Sequence, residues 1–146
     1  MVTEYLEQMT NLVRGLKRAN DWKYQCIEEF VLKNGKVFSV NGTKVKRGRT
    51  KECFKNAFCL AEYNPDLSYV EGYATFFNLG FPVLHAWCVD KQGNVYDPTW
   101  KKLGDEYFGV VFELSFVRET IFARKKFGVI DNREMNFPLL SGKEVL

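Results

Sequence analysis

Apolar positions at helical spacing open the chain. Leu6, Met9, Leu12, Val13 and Leu16 fall on one face of residues 3–18, with Thr3 placed to cap. A second helix is predicted from an Asp21 cap to about Asn34, striped by Trp22, Cys26, Phe30 and Val31, with Gly35 at its C-terminal cap. Between Lys36 and Lys46 the period changes to two. Asn41-Gly42, set between Val37-Phe38-Ser39-Val40 and Thr43-Lys44-Val45, predicts a hairpin closed by a type I′ turn. A third helix is predicted over 51–63, capped by Thr50 and ended by Asn64-Pro65-Asp66. Strands follow over 67–77, 82–89, 94–100 and 107–112, then a helix over 115–126. No repeat, low-complexity tract or linker interrupts the series. Helices first and antiparallel strands later predict one α+β domain over 1–146.

Composition narrows this picture. The 146 residues are 46% hydrophobic and 16% aromatic, enough for one sizeable aromatic core. A net charge of +3 is too mild to imply nucleic-acid binding. Gly72 to Val89 carries no formal charge over 18 residues, yet Asn78, Gly80, Pro82 and His85 argue for two strands and a turn rather than a membrane span. Met1-Val2-Thr3-Glu4-Tyr5 lacks the basic-then-apolar order of a signal peptide. The cysteines Cys26, Cys53, Cys59 and Cys88 show no C-x-x-C spacing, and one histidine leaves little for zinc. Reduced thiols, a cytoplasmic setting, no metal and no cofactor are the expectation.

Chemistry concentrates in three residues. Cys53 falls in the first turn of the third predicted helix, where unpaired N–H groups and the helix dipole favour a thiolate. His85, the one histidine, lies on an apolar strand, and Asp97 opens Asp97-Pro98-Thr99 on the next. Thiolate, imidazole and carboxylate in that order make an activated nucleophile. Parity constrains the geometry: a two-residue Gln92-Gly93 turn would put His85 and Asp97 on opposite faces. An odd loop, Lys91-Gln92-Gly93 or a five-residue one, puts them on one face as diagonal neighbours. Gly93 suits the left-handed position of the three-residue loop, so an odd loop is predicted. Asp97 would then hold Nδ1 of His85 and leave Nε2 for Cys53. An Asx-type turn is the other common role of Asp-Pro, and Asp90 and Asp105 are the fallback acids. Cys88, three residues from His85, should face the other side.

Cys53-Phe54-Lys55-Asn56-Ala57, Tyr69-Val70-Glu71-Gly72-Tyr73, His85-Ala86-Trp87 and Val95-Tyr96-Asp97-Pro98-Thr99 together resemble the transglutaminase-like branch of the papain-like cysteine hydrolases. The likeness covers residues 50–100, with His-Ala-Trp and Asp-Pro-Thr its most specific parts. It implies a nucleophile helix packed on an antiparallel sheet, with Cys53 as nucleophile, His85 as base and Asp97 as orienting acid. It also implies acyl chemistry on an amide or related carbonyl, ending in hydrolysis or transfer to an amine. Family members often carry glycine just before the nucleophile; Thr50-Lys51-Glu52 stands there in this chain.

The second oxyanion donor stays open among Gln25, Asn41 and Trp22. Trp87, two residues from His85, is the expected cover of the imidazole, and Trp100, Tyr69, Tyr73 and Tyr107 are further candidates for a groove wall, at least half of them expected to be buried. Lys44, Lys46, Arg47, Arg49 and Lys51 lie within eight residues free of acid and lead into Cys53. Such runs are usually solvated; here the run would also favour an anionic substrate. The sequence therefore predicts a cysteine hydrolase or acyl transferase. Its substrate would be a peptide, a modified side chain or a small molecule, anionic ones included. The rival reading is a non-catalytic protein of the same fold that captures an anionic small molecule or a protein partner.

Overall fold

In the computed structural model, which describes residues 1–16, 20–41, 45–76 and 79–146, two helices lead into the sheet. Helix α1 spans Val2–Gly15 and α2 Ile27–Asn34. Strand β1 (Lys36–Phe38) and helix α3 (Cys53–Tyr63) follow, then β2 (Ser68–Thr75), β3 (Val83–Val89), β4 (Val95–Tyr96) and β5 (Glu106–Phe112). Helix α4 (Leu114–Arg124), a 3-10 turn (Arg133–Met135) and α5 (Pro138–Ser141) close the chain. Among the described residues the strands form one sheet in the order β1-β5-β2-β3-β4, every ladder antiparallel. The α+β expectation holds.

The outer edges of this sheet meet. Ser39, just past β1, donates its N–H to the Gly93 carbonyl and accepts from the Val95 N–H, both at 2.9 Å. The two edge strands, β1 and β4, are thus stitched together at one end, and the sheet curls. Period-two alternation then sorts side chains to two unlike faces. The outer face carries Tyr69, Tyr73, Ala86, Cys88, Val110 and Phe112 and is covered by the helices. Ala57 and Ala61 of α3 are small and buried there, which lets the helix approach β3 until the Cys88 thiol donates to the Ala57 carbonyl at 3.2 Å. The inner face gathers Phe38, Val70, Ala74, Trp87, Val95 and Tyr107. Phe38 of β1 reaches Trp87 of β3 across the hollow, centroids 6.2 Å apart.

Two glycines keep that hollow open. Gly72 pairs with Gly109 on one side and His85 on the other. A Cβ on Gly72 would stand 2.2 Å from the Phe108 carbonyl oxygen, and one on Gly109 2.8 Å from the Trp87 ring. The indole occupies the volume these residues leave empty. On the outer face, Glu71 is wholly buried and accepts from Tyr69 Oη (2.5 Å) and from the N–H groups of Val129 (2.7 Å) and Ile130 (3.1 Å). Burial pushes its carboxyl up, against those three hydrogen bonds. This carboxylate fastens the chain beyond α4 to the sheet.

Several sequence expectations are corrected. Helix α2 begins at Ile27, not behind an Asp21 cap. The Tyr24 N–H is taken by the distant Leu140 carbonyl (3.0 Å), while the Gln25 N–H is taken by the carboxylate of Glu29 in the first turn of α2 (2.8 Å), so a tertiary partner and a local cap together start the helix late. Gly35 does cap α2, but in an extended conformation. Its role there is close approach, since a Cβ would lie 2.6 Å from the Val31 oxygen. Of the predicted hairpin, Gly42, Thr43 and Lys44 lie outside the described residues; Val45 is in no strand, and β1 pairs with β5 instead. Helix α3 starts at Cys53 with Glu52 at its N-cap, so Thr50 is not the cap. Strand β4 stops at Tyr96 because Asp97 turns the chain. Among the described residues, no helix is long and apolar enough to cross a membrane.

The Gly72→Ala variant should unfold at lower urea, with a loss of about 1–3 kcal/mol as expected for forced overpacking. A change below about 0.5 kcal/mol, the range of inert surface substitutions, would show that the close approach is not needed.

Candidate active site

Asp97 is positioned by local chemistry. Pro98 holds it in the extended region, and its Oδ1 accepts the N–H groups of Thr99 (2.9 Å) and Trp100 (3.2 Å). That is the Asx-type turn, and it fixes the carboxylate so that Oδ2 faces inward. There Oδ2 accepts from His85 Nε2 and from Tyr107 Oη, each at 2.8 Å. The turn and the orienting role are one arrangement.

The hairpin carries the predicted parity. Cys88 pairs with Tyr96 and Val89 with Val95, and the Asp90 N–H donates to the Asn94 carbonyl at 3.2 Å. Lys91-Gln92-Gly93 is the three-residue tip, with Gly93 at φ 80°. Asp90 spends its carboxylate on this loop, accepting from the Gln92 and Asn94 N–H groups at 3.0 and 2.9 Å. Asp97, not Asp90, is the acid beside His85.

His85 is 2% exposed and clasped by aromatic rings. Trp100 stacks on it, centroids 4.0 Å apart and planes 16° from parallel, whereas Trp87 stands 6.1 Å away and is fully buried. Trp100 is therefore the imidazole's cover, which corrects the expectation for Trp87. Chain order explains the difference: the Asx turn folds Trp100 back over the ring, while Trp87 fills the hollow above Gly109. Tyr69, Tyr73 and Tyr107 are buried as well, and Trp100 alone of the five aromatics is half-buried.

Cys53 opens α3 and is half-buried. Its thiol is near enough to the imidazole to help hold the ring's charge, after Asp97. Since Nε2 is held by Asp97, Nδ1 is the nitrogen left for sulfur, the reverse of the expected ring edge. Burial opposes charge on His85, but the hydrogen bonds to Asp97 and then Cys53 prevail and raise it to about 9. Burial acts on Asp97 too; the hydrogen bond from His85 and those from Thr99 and Tyr107 hold it below the usual carboxylate range. The other buried thiols lack such partners: burial pushes Cys26 up to about 11 and Cys88 to about 12.

The first intrahelical bond of α3 runs from the Asn56 N–H to the Glu52 carbonyl, 2.9 Å. The N–H groups of the first turn, at Cys53 and Phe54, are the donors a helix leaves unpaired. Lys51, exposed and two residues before Cys53, takes φ 67°, a left-handed conformation that non-glycine residues seldom adopt. The remaining candidates have partners elsewhere. The Gln25 amide donates to the Trp22 carbonyl (2.9 Å), Trp22 packs on Phe137 with centroids 6.0 Å apart, and the Asn41 amide donates to Asn94. None of the three is hydrogen-bonded to Cys53 or His85. Among the described residues, no three His, Cys, Asp or Glu side chains converge as metal ligands. The sequence had offered Trp100 and Tyr107 only as groove walls; their contacts come from the turn and from β5 lying beside β2.

Comparison with known proteins yields no relative: no family model, no curated protein and no solved structure matches this chain.

The buried pair gives stability a definite pH window. His85 is raised, so its contribution is complete below 6.5 and lost as pH climbs through about 9. Asp97 is lowered, so its contribution is complete above 3.8 and lost as acid protonates it below that. Asp97→Ala should cost about 3–5 kcal/mol near pH 6, the usual effect of breaking a buried pair, and clearly less near pH 10. Urea unfolding at the two pH values tests this; an equal loss at both would show that the pair's charge does not contribute.

Proposed function

We propose that this chain is a cysteine-dependent hydrolase or acyl transferase acting on an amide or related carbonyl, with a core of the papain-like, transglutaminase-like kind. The observation that supports it best is that the one imidazole is held by a buried carboxylate, Nε2 lying 2.8 Å from Asp97 Oδ2, while a half-buried thiol at the head of α3 acts on the same ring.

In this chemistry His85 Nδ1 takes the Cys53 proton, and the thiolate attacks the carbonyl carbon. The resulting oxyanion lies within reach of the first-turn N–H groups of α3. Collapse breaks the carbon–nitrogen bond, the amine leaves with the proton from His85, and a thioester to Cys53 remains. Water or an amine then attacks the thioester and gives its proton to His85; the sulfur departs as thiolate, which recovers the proton. Asp97 stays ionised throughout and stabilises each imidazolium. Trp100 and the rings inside the sheet keep water from the ion pair, which strengthens it.

Iodoacetamide alkylation, followed at each cysteine by mass spectrometry across pH 5–9, tests the pair directly. Cys53 should react fastest below pH 7, and His85→Ala should slow it there by roughly tenfold or more. The advantage should shrink as pH rises through about 9 and the imidazolium is lost. A Cys53 rate independent of His85 would replace the enzyme reading with that of a binding protein on the same fold.

A further inference from the structure

Resting on the catalytic reading above, we propose that residues 46–49 and the adjoining face of α3 form a subsite for an acidic peptide segment, so that the acyl donor is an anionic polypeptide. The strap is built rather than loose. The Gly48 N–H donates to the Pro98 carbonyl at 2.8 Å, and the Asn56 amide donates both to the Arg49 carbonyl (2.9 Å) and to Thr99 Oγ1 (3.0 Å). A Cβ on Gly48 would stand 2.0 Å from Asn56 Oδ1, so strap and helix touch. The same residues that anchor Asp97-Pro98-Thr99 therefore also set the height of the strap.

Between strap and helix lies a groove of ≈ 390 Å³, with Lys46, Arg47 and Gly48 along one wall and Leu60, Tyr63 and Pro98 beneath. Lys46, Arg47, Arg49 and Lys51 are exposed, and among the described residues none of them takes part in an ion pair. The acids near them leave this charge standing. Glu62 on α3 is held by Arg118 at 2.8 and 3.0 Å, and Glu52 alone flanks the strap. Two cations in the groove wall, two more following on the same strap, and a largely apolar lining with no acid in it are complementary to an anion that also has aliphatic stems. Asp and Glu side chains, or phosphorylated ones, offer that combination.

Length favours a chain over a small molecule. From Asn56 to Tyr63 the helix rises roughly 10 Å, at about 1.5 Å per residue, the span of about three extended residues at roughly 3.3 Å each. Cys53 lies one turn before Asn56, so a peptide seated here would carry its anionic residues beside the scissile carbonyl.

Fluorescence anisotropy on the Cys53→Ala protein tests this with labelled hexapeptides that are Glu-rich, phosphoserine-containing, neutral or Lys-rich, at low and raised salt. The Glu-rich or phosphoserine peptide should bind roughly tenfold or more tightly than the neutral one, weakening with salt. The better of the two arms identifies the anion. Lys46→Glu with Arg47→Glu, both at exposed positions, should abolish the preference; Lys46→Arg should keep it. Equal binding of acidic and neutral peptides would overturn the proposal. So would a preference that survives charge reversal, or tighter binding of a single-stranded oligonucleotide than of either acidic peptide. A clear acidic preference together with Cys53 alkylation that ignores His85 would keep the subsite and remove the enzyme. The opposite pair of results would keep the enzyme and remove the subsite.

Discussion

The carboxylate of Asp97 is the constraint around which this fold is arranged. Its side chain has no exposed surface, and a buried charge persists only when its lone pairs are filled. Four donors fill them: two backbone N–H groups from its own turn, one imidazole from β3 and one phenol from β5. Each donor dictates something larger. The N–H pair requires the Asp-Pro-Thr turn, and this ends β4. The imidazole requires an odd hairpin between β3 and β4. The phenol must come from β5, whose antiparallel pairing with β2 and whose inner-face parity bring Tyr107 under the ring. Gly104 donates its N–H to the same phenol at 2.8 Å, which leaves the hydroxyl proton for Asp97.

What was legible in the sequence was what local chemistry determines. Gly93 announced a left-handed residue and hence loop parity, and parity alone put His85 and Asp97 on one face. The polar break at Asn64-Pro65-Asp66 marked the end of α3 at Tyr63, while a Thr50 cap put its start two residues early. Alternation likewise put Cys88 on the opposite face from His85, where it contacts α3. Contacts set by distant chain were not legible. Asp21 loses its helix because Leu140, far downstream, takes the Tyr24 N–H. Sequence proximity favours Trp87 over Trp100 as cover of the imidazole until Gly109 is known to leave a space the Trp87 indole fills. The ring edge of His85 was misjudged for the same reason, since Nδ1 and Nε2 differ only in which neighbour each one meets. Glu71 was read as part of a motif with no role of its own; its work is to hold Val129 and Ile130, segments the sequence pattern left unassigned.

Exposure falls steadily from sulfur to carboxylate, and this gradient bears on the chemistry. Cys53 is half-buried at a helix end, the His85 side chain is 3% exposed, and the Asp97 side chain 0%. An acid in open water would do little for an imidazolium, because solvent would screen it. Enclosed and saturated with donors, Asp97 pulls on the ring at short range, and Trp100 shuts one ring face without taking a hydrogen bond from it. The sulfur stands outside this dry region, where a carbonyl can reach it. Thiol and imidazole thus lie on either side of the boundary between solvent and core.

That boundary is drawn by one side chain on the helix and one turn on the sheet. Asn56 holds both the Arg49 carbonyl and the Thr99 hydroxyl, so the first turn of α3 cannot shift relative to the Asp97 turn without losing a bond at each end. The Cys53 thiol sits one turn away, at the point where such a shift would be felt most. Ala57 and Ala61 hold the rest of α3 against β3 by close packing, which resists translation but leaves rotation at the helix start free. The amide of Asn56 removes that freedom. The placing of the Cys53 end of α3 beside His85 is therefore set by hydrogen bonds from half-buried Asn56, which carries a constraint that the buried alanines cannot supply.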